Sequence, residues 1–399
     1  MVITFISNFI NHHQLPFCLE MVQKLNDDFN FIQTEPMSDE RIRMGWGLDE
    51  DKISFVKMFY EDEEGCRALI AKSDVLMLGW TGRLEVDRLI LESGKPVLRV
   101  SERIYREGQW KAVSPRGLVS KYNEHIKFRN KPIYLLCCGA YVASDFALIH
   151  SYKNKRLKWG YFPETRLYDD KAFRDLKNHT GVIDICWAGR MITLKHPEFA
   201  IKLAIKLHEM KVNFRLHMVG DGDMNEYLTD MVRENGISEL VDFYGSMEPS
   251  SVRSVMEKAG IFLFTSNYLE GWGAVVNEAM NSGCALVASN EAGAVPFLIK
   301  ENVNGLTYSN ENYDEFEEKA LYLISHPIER ANMGQKAYET IAGMWNAKKA
   351  AGRLLEFCES IVGEQNESYE IPLEGPMSAA EVIKPPGFKR TLQEVNKLQ

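Results

Sequence analysis

The chain has no run of 18 uncharged apolar residues, so it offers no candidate membrane-spanning helix. Its opening stretch, MVITFISNFINHHQL, lacks the basic region and small-residue cleavage site of a secretory signal. A basic excess is missing as well: the net charge of −9 argues against a general nucleic-acid binder, whose footprint would be a basic domain. The seven cysteines (18, 66, 137, 138, 186, 284 and 358) form no Cys-x-x-Cys pair and lie mostly in apolar runs, where a free thiol behaves as a small hydrophobe. That usage fits a reducing compartment, and the expectation is a cytoplasmic protein, free or peripheral at the cytosolic face of a membrane. Glycine is absent from SNFINHHQLP (7–16), just after the first apolar run, where a nicotinamide enzyme would need Gly-x-Gly-x-x-Gly.

What is present is a globular composition, 45% hydrophobic and 26% charged, over 399 residues, a length that predicts two domains. Short apolar runs alternate with helical patterns: VITFIS (2–7) before a helix over 15–24, VLMLGW (75–80) before one over 84–92, then PVLRV (96–100) and PIYLLCC (132–138). A second series runs through IDICWAG (183–189), FRLHMVG (214–220), VDFYG (241–245), IFLFTS (261–266) and CALVAS (284–289). Strands alternating with helices predict βαβ units and parallel sheets, so the fold class is α/β with two doubly wound halves. The joint is expected in 152–180, which is charged and aromatic and has no regular period. A strong helix is expected over 345–362, then an extended tail with four prolines and a short terminal helix.

The richest stretch chemically is NYLEGWGAVVNEAMNSGCALVASN (267–290). A loop there feeds a helix beginning near Ala274, so backbone amides and the helix dipole offer an anion site that Gly271 and Gly273 leave uncovered. Glu270 stands before that cradle, and Glu278 lies one turn beyond Ala274. Two readings of the pair stand: acids placed near a helix N-terminus for dipole reasons, or clamps on the hydroxyls at either side of a diphosphate, as in a nucleotide sugar. WAGRMITLKHPEFAIKL (187–203) adds Arg190 and Lys195 at the end of another strand, where open α/β sheets bind ligands and two cations would neutralise a diphosphate.

Taken in order, WAGRMITLKHPEFAIKL, LHMVGDGD, VDFYGSMEPSSV and NYLEGWGAVVNEAMNSGCALVASNEAGAVP resemble the C-terminal half of a retaining glycosyltransferase of family 4. The resemblance implies the GT-B architecture: two facing Rossmann-like doubly wound domains with an interdomain cleft. It assigns 1–165 to an N-terminal acceptor-side domain and 166–344 to a nucleotide-sugar-binding domain. The remaining 345–399 form a helix and extended tail packing back toward the N-terminal domain. By the same resemblance Arg190 and Lys195 grip the donor diphosphate, Glu270 contacts the transferred sugar and Glu278 holds the ribose. Backbone amides around Gly271, Trp272, Gly273, Ala274 and Val275 meet sugar hydroxyls and phosphate oxygens, while Gly220, Gly245, Ser246 and Met247 line the base and diphosphate pocket. The sequence departs from the family at Phe297, where a glutamate is common, which leaves the role of that helix start open.

The N-terminal half is less standard. Asn11, His12 and His13 replace a glycine-rich loop, and they are candidates for acceptor hydroxyls or phosphate, or else for capping and loop packing. Ser101, Glu102 and Arg103, just beyond a strand, are the other acceptor-side candidates. Between 103 and 131 eight Lys or Arg face two Asp or Glu, interleaved with Tyr105, Trp110, Tyr122 and Phe128. That asymmetry reads either as peripheral contact with an anionic membrane or lipid-diphosphate acceptor, or as a solvated helical hairpin. The adjacent histidines lack zinc-motif spacing, and Asp221-Gly222-Asp223 sits inside the second α/β half as a surface turn, so no metal is expected. The implied function is a metal-independent, retaining hexosyltransferase moving a sugar from a nucleotide sugar, a UDP-sugar before a GDP-sugar, to a glycan or lipid-linked acceptor, with no cofactor and no nucleic-acid partner. The alternative is a catalytically silent nucleotide-sugar-binding subunit.

Overall fold

Local sequence sets the strands first. In the computed structural model, which describes residues 1–42, 47, 53–177, 181–309, 312–363 and 369–386, the chain divides into two compact units, Met1–Glu164 with Asn346–Gln399, and Thr165–Trp345. The first unit holds β1 (Ile3–Ser7), β2 (Phe29–Gln33), β3 (Val56–Met58), β4 (Val75–Leu78), β5 (Val97–Ser101), β6 (Ile133–Cys138) and β7 (Arg156–Trp159). They pair in the order β3-β2-β1-β4-β5-β6-β7, every neighbour parallel. Every residue of β1, β2 and β4 is buried, as a sheet covered on both faces by helices requires. The register sets Ile3 opposite both Phe29 and Val75.

The second unit holds β8 (Ile183–Ala188), β9 (Phe214–Val219), β10 (Val241–Phe243), β11 (Ile261–Phe264), β12 (Ala285–Ser289) and β13 (Leu306–Tyr308). The order β10-β9-β8-β11-β12-β13, again parallel, reverses direction beside β8, the kind of switch point at which open sheets bind ligands beyond the strand ends. Ile185, Leu216, Leu263 and Val287 carry the core beneath it. These are the two doubly wound halves that the alternation predicts.

Four strands escape the sequence reading: β2, β3, β7 and β13. The stretch 152–180, expected to be an irregular joint, instead contains β7 and the helix Asp170–Lys177. The helix Ala347–Val362 is capped by the Asn346 side chain, which accepts from the Lys349 amide at 2.8 Å, and it packs against the helix Leu15–Leu25. The tail then runs antiparallel along β7: the Lys158 amide donates to Ser378 O at 2.7 Å and the Met377 amide to Lys158 O at 2.8 Å. An otherwise open sheet edge is thereby covered. The expected terminal helix lies outside the described residues.

Arg103, an acceptor-side candidate on sequence grounds, is corrected here to an internal structural group. Its guanidinium lies 3.3 Å from the Asp145 carboxylate, with side chains 6% and 0% exposed. Asp145 also accepts from the Tyr105 amide at 3.0 Å and from Gln109 Nε2 at 2.8 Å, so one carboxylate organises the whole turn after β5. Asp145→Ala would strand a buried guanidinium, and the expected loss is about 3–5 kcal/mol of unfolding free energy, read as a lower urea midpoint.

Candidate functional site

In the second unit, the site grows from three neighbouring strand ends. After β8 the chain turns at Gly189 and Arg190 and passes through the short helix Thr193–Lys195. This loop is stitched to its neighbours by backbone. The Met191 amide donates to Asp221 O at 2.8 Å, and the Asn267 amide donates to Leu194 O at 2.8 Å. Thr265 Oγ1, at the end of β11, accepts from Trp187 Nε1 at 2.8 Å and donates to Lys195 O at 2.5 Å. Held in this way, the Lys195 ammonium forms an ion pair with the Glu270 carboxylate, each side chain mostly buried. Arg190 is exposed, and its guanidinium has no ion pair or hydrogen bond among the described residues. The structure thus brings Lys195 and Glu270 together and leaves Arg190 uncommitted beside them in sequence.

The loop 267–274 leads into the helix Val275–Asn281, with Ala274 as its N-terminal boundary residue. The Asn267 side chain braces the loop by accepting from the Leu269 amide at 3.0 Å, and Gly271 O and Trp272 O accept from the Gly293 and Ala294 amides at 3.1 and 3.0 Å. The amides of Gly271, Gly273 and Ala274 donate to no group among the described residues. Gly273 adopts φ +89°, and a Cβ there would meet Phe264 Cζ at 2.7 Å, so the close turn demands glycine. Trp272 contributes its amide to this loop, but its side chain faces the interior: it is 1% exposed, and its indole donates to Asn277 Oδ1 at 2.9 Å.

Glu278 is partly buried on the first turn of that helix, and its carboxylate has no hydrogen-bond partner among the described residues. Burial pushes its pKa up to about 7, against the opposing pull of Arg253 and Arg166. Those guanidiniums are engaged elsewhere, Arg253 with Asn281 Oδ1 at 2.6 Å and Arg166 with Glu257 at 2.6 Å. A carboxylate placed only to complement a helix dipole would sit in solvent or bond to first-turn amides; this one is desolvated and open to a donor.

Gly220 and Gly245 meet at the ends of β9 and β10, where the Gly220 amide donates to Gly245 O at 2.8 Å. Ser246 is exposed and Met247 partly so, directly before the helix Pro249–Lys258. Sequence reasoning missed Thr265, Asn267 and Arg253. The first two stand within IFLFTSN, where a polar pair closing an apolar strand is a usable signal; Arg253 is one of many basic residues on a helix and carries none.

In the first unit the candidates separate. Asn11 Oδ1 accepts from the His13 and Gln14 amides at 3.0 and 3.2 Å, closing the turn that starts the helix Leu15–Leu25, so its side chain is committed to structure. The His12 and His13 rings lie with centroids 3.9 Å apart and planes tilted by 52°, and His13 lies 6.1 Å from the Tyr161 ring. Tyr161 donates to Glu102 at 2.9 Å. Burial lowers His12 to about 4 and His13 well below the usual imidazole range, with the His12 charge adding to the latter. As neutral rings they offer hydrogen bonds to a hydroxyl, not positive charge to a phosphate. Ser101 Oγ bonds locally to Glu102 O at 2.8 Å. His13 and Glu102 therefore meet Tyr161, with His12 against His13, while Asn11 and Ser101 bond to backbone and Arg103 to the Asp145 carboxylate.

Residues 169–340 match the family Glycosyl transferases group 1. Among curated proteins, the chain is 32% identical over 130 residues to an uncharacterized glycosyltransferase of Methanocaldococcus jannaschii, covering 33% of each chain. It is 24% identical over 171 residues to the poly(ribitol-phosphate) alpha-N-acetylglucosaminyltransferase of Staphylococcus aureus, covering 43% of this chain and 34% of that one. The matches thus span about a third of these relatives' own length. Among solved structures, Anabaena Alr3699/HepE in complex with UDP aligns with a TM-score of 0.69 at 13% identity, over 90% of this chain and 100% of that one. The two parallel sheets and their helices are thus those of the GT-B glycosyltransferase fold.

The Glu278 environment has a stability signature. Its folded pKa of about 7 exceeds the ordinary 4.5, so stability present below 4.5 is lost as pH rises through about 7, to a total of about 3 kcal/mol. Glu278→Gln is expected to raise the thermal midpoint at pH 8 while leaving it nearly unchanged at pH 4.5. Equal shifts at both pH values would contradict the desolvated carboxylate.

Proposed function

From the match of residues 169–340 to the glycosyl transferases group 1 family, we propose that the chain is a metal-independent, retaining hexosyltransferase that uses a nucleotide sugar. The observation that carries this reading is the Glu278 carboxylate, desolvated and without a partner among the described residues, on the helix that follows a loop whose Gly271, Gly273 and Ala274 amides donate to no described group and whose Glu270 pairs with Lys195. A ribose diol would supply the donors that Glu278 lacks. Arg190, Lys195 and the amides of Gly271, Gly273 and Ala274 would stabilise the negative charge that grows on the departing diphosphate, the largest demand of the reaction. Glu270, oriented by Lys195, would hold a hydroxyl of the transferred sugar. The acceptor oxygen bonds to the anomeric carbon on the face the diphosphate leaves, so configuration is retained and no enzymic nucleophile is assigned.

The acceptor is read as a glycan or lipid-linked hydroxyl, met by the neutral His12 and His13. UDP, bound by the structural relative, makes UDP-sugars the first donors to test. At 100 times its dissociation constant the right donor adds about 2.7 kcal/mol to stability, visible as a raised melting temperature. Arg190→Ala and Glu270→Ala are expected to lower kcat/KM by about 100-fold or more, the usual effect of removing one preorganised charge partner. Turnover unchanged in both variants would remove the site assignment, and donor binding without any turnover would favour a silent nucleotide-sugar-binding subunit.

The same chain carries a membrane-facing candidate. Among the described residues no helix is long and apolar enough to cross a membrane. The segment 103–131 is not a helical hairpin: one helix, Pro115–Glu124, stands between 3-10 turns at Gln109–Val113 and Ile126–Phe128. No residue of that helix is buried, yet it carries Leu118, Val119 and Tyr122, with Trp110 and Val113 just before it; Val113 is 78% and Val119 63% exposed. Arg116 and Arg129 are exposed without ion pairs among the described residues. Apolar side chains rimmed by free cations suit peripheral contact with an anionic bilayer. The protein is expected to co-sediment with phosphatidylglycerol vesicles in a salt-sensitive manner, and Val119→Asp with Tyr122→Asp to weaken this at least tenfold; equal binding to neutral vesicles would remove the electrostatic part.

A further inference from the structure

The six-stranded sheet borders a cavity at the edge away from the strand ends just described. Ile183, which opens β8, and Gly260 and Gly283, which precede β11 and β12, line a space of about 640 Å3. The candidate donor loops leave the opposite ends of these same parallel strands. At about 3.3 Å per residue, strands of four to six residues separate the two edges by roughly 13–20 Å.

The lining is cationic. Arg174, Lys177, Lys258 and Arg330 face the cavity, and the one acid among the described lining residues is Asp184, whose Oδ1 already lies 2.8 Å from His217 Nε2. Arg174 and Lys258 are exposed and have no ion pair among the described residues. Among the described residues Arg330 spends only Nη1 on protein, donating to Leu323 O at 2.9 Å and Ile324 O at 3.3 Å. Its Nε lies 3.5 Å from where a Gly260 Cβ would stand, so the remaining edge of the guanidinium borders the cavity. Lys177 also lines the cavity, its ammonium fixed by Ala259 O at 2.6 Å and Met256 O at 3.2 Å. The 17-residue helix Pro327–Gly343 also begins here, adding the positive end of its dipole.

Four cations in one cavity repel one another, and even in a chain of net charge −9 the described lining sets only the Asp184 carboxylate against them. We propose that this cavity binds a small organic phosphate. The phosphate is held by Arg174, Lys258 and the free edge of Arg330, and Asn332, on the same wall, bonds to the hydroxyls of the ligand. Its volume lies in the range of small-molecule sites. It is separate from the donor site, since it is built from the opposite ends of the strands.

Calorimetric titration of the full chain with inorganic pyrophosphate at low ionic strength tests this. In an Arg190→Ala background, where the donor loop is weakened, pyrophosphate binding is expected to persist. Adding Arg174→Glu with Lys258→Glu is expected to weaken it at least tenfold, while Arg174→Lys with Lys258→Arg retains it. Both residues are exposed, so the unfolding midpoint should stay unchanged and a folding defect would be seen directly. Binding that survives the charge reversal, or that vanishes in Arg190→Ala alone, would overturn the proposal. Because nucleotide-sugar turnover depends on Arg190 and not on Arg174 or Lys258, the two assignments fail independently.

Discussion

Backbone contact at the carboxyl ends of β8 and β9 governs the position of nearly everything in the candidate donor site. A Cβ at Gly220, which adopts φ +122°, would stand 1.9 Å from the Gly189 carbonyl oxygen, so the two strand ends approach as only glycine allows. From that approach the loop after β8 is tied to the loop after β9 through Met191 and Asp221, and to the loop after β11 through Leu194 and Asn267. Three loops, each of which would be mobile alone, become one piece. Lys195 then meets Glu270 across 75 residues of sequence without either side chain having to search for the other. A cation and an anion so fixed lose little entropy when a ligand joins them.

A second constraint sits beneath the glycine turn. Trp272 drives its indole into the core against Phe297 and Trp345, ring centroids 6.3 and 6.1 Å away, while Phe297 and Trp345 stack at 5.7 Å with planes 18° apart. The aromatic wedge anchors the loop from below and leaves its amides on the other side. It also gives Phe297 a role. Where the related family commonly carries a glutamate, this chain uses the position for packing, and the helix Val295–Leu298 belongs to the support of the site more than to its polar surface.

Much of this was legible in the sequence, and the reasons are local. Glycine between an apolar strand and a helix marks a tight turn whatever surrounds it, which is why the strand-end segments at 189, 220, 245 and 271–273 could be read directly. The missed strands are those whose local pattern is weak: β2 mixes Asn30 and Gln33 with aromatics, β7 carries Arg156 and Lys158, and β3 and β13 have three residues each. Their strand state is imposed by pairing, not by propensity. Arg103 misled for a similar reason. A basic residue after a strand looks solvent-facing until its partner is known, and Asp145 lies 42 residues further along.

The two glutamates that invite attention in the sequence occupy opposite electrostatic conditions. Glu270 is held by a neighbouring ammonium, so its charge is already compensated in the free protein. Glu278 is desolvated, its nearby guanidiniums are bonded to Asn281 and Glu257, and nothing in the described structure donates to it. An arrangement serving stability alone would remove that charge or pair it, because an uncompensated buried carboxylate costs several kcal/mol. In the proposed reading, a pair of donor hydroxyls completes it with charge-assisted hydrogen bonds.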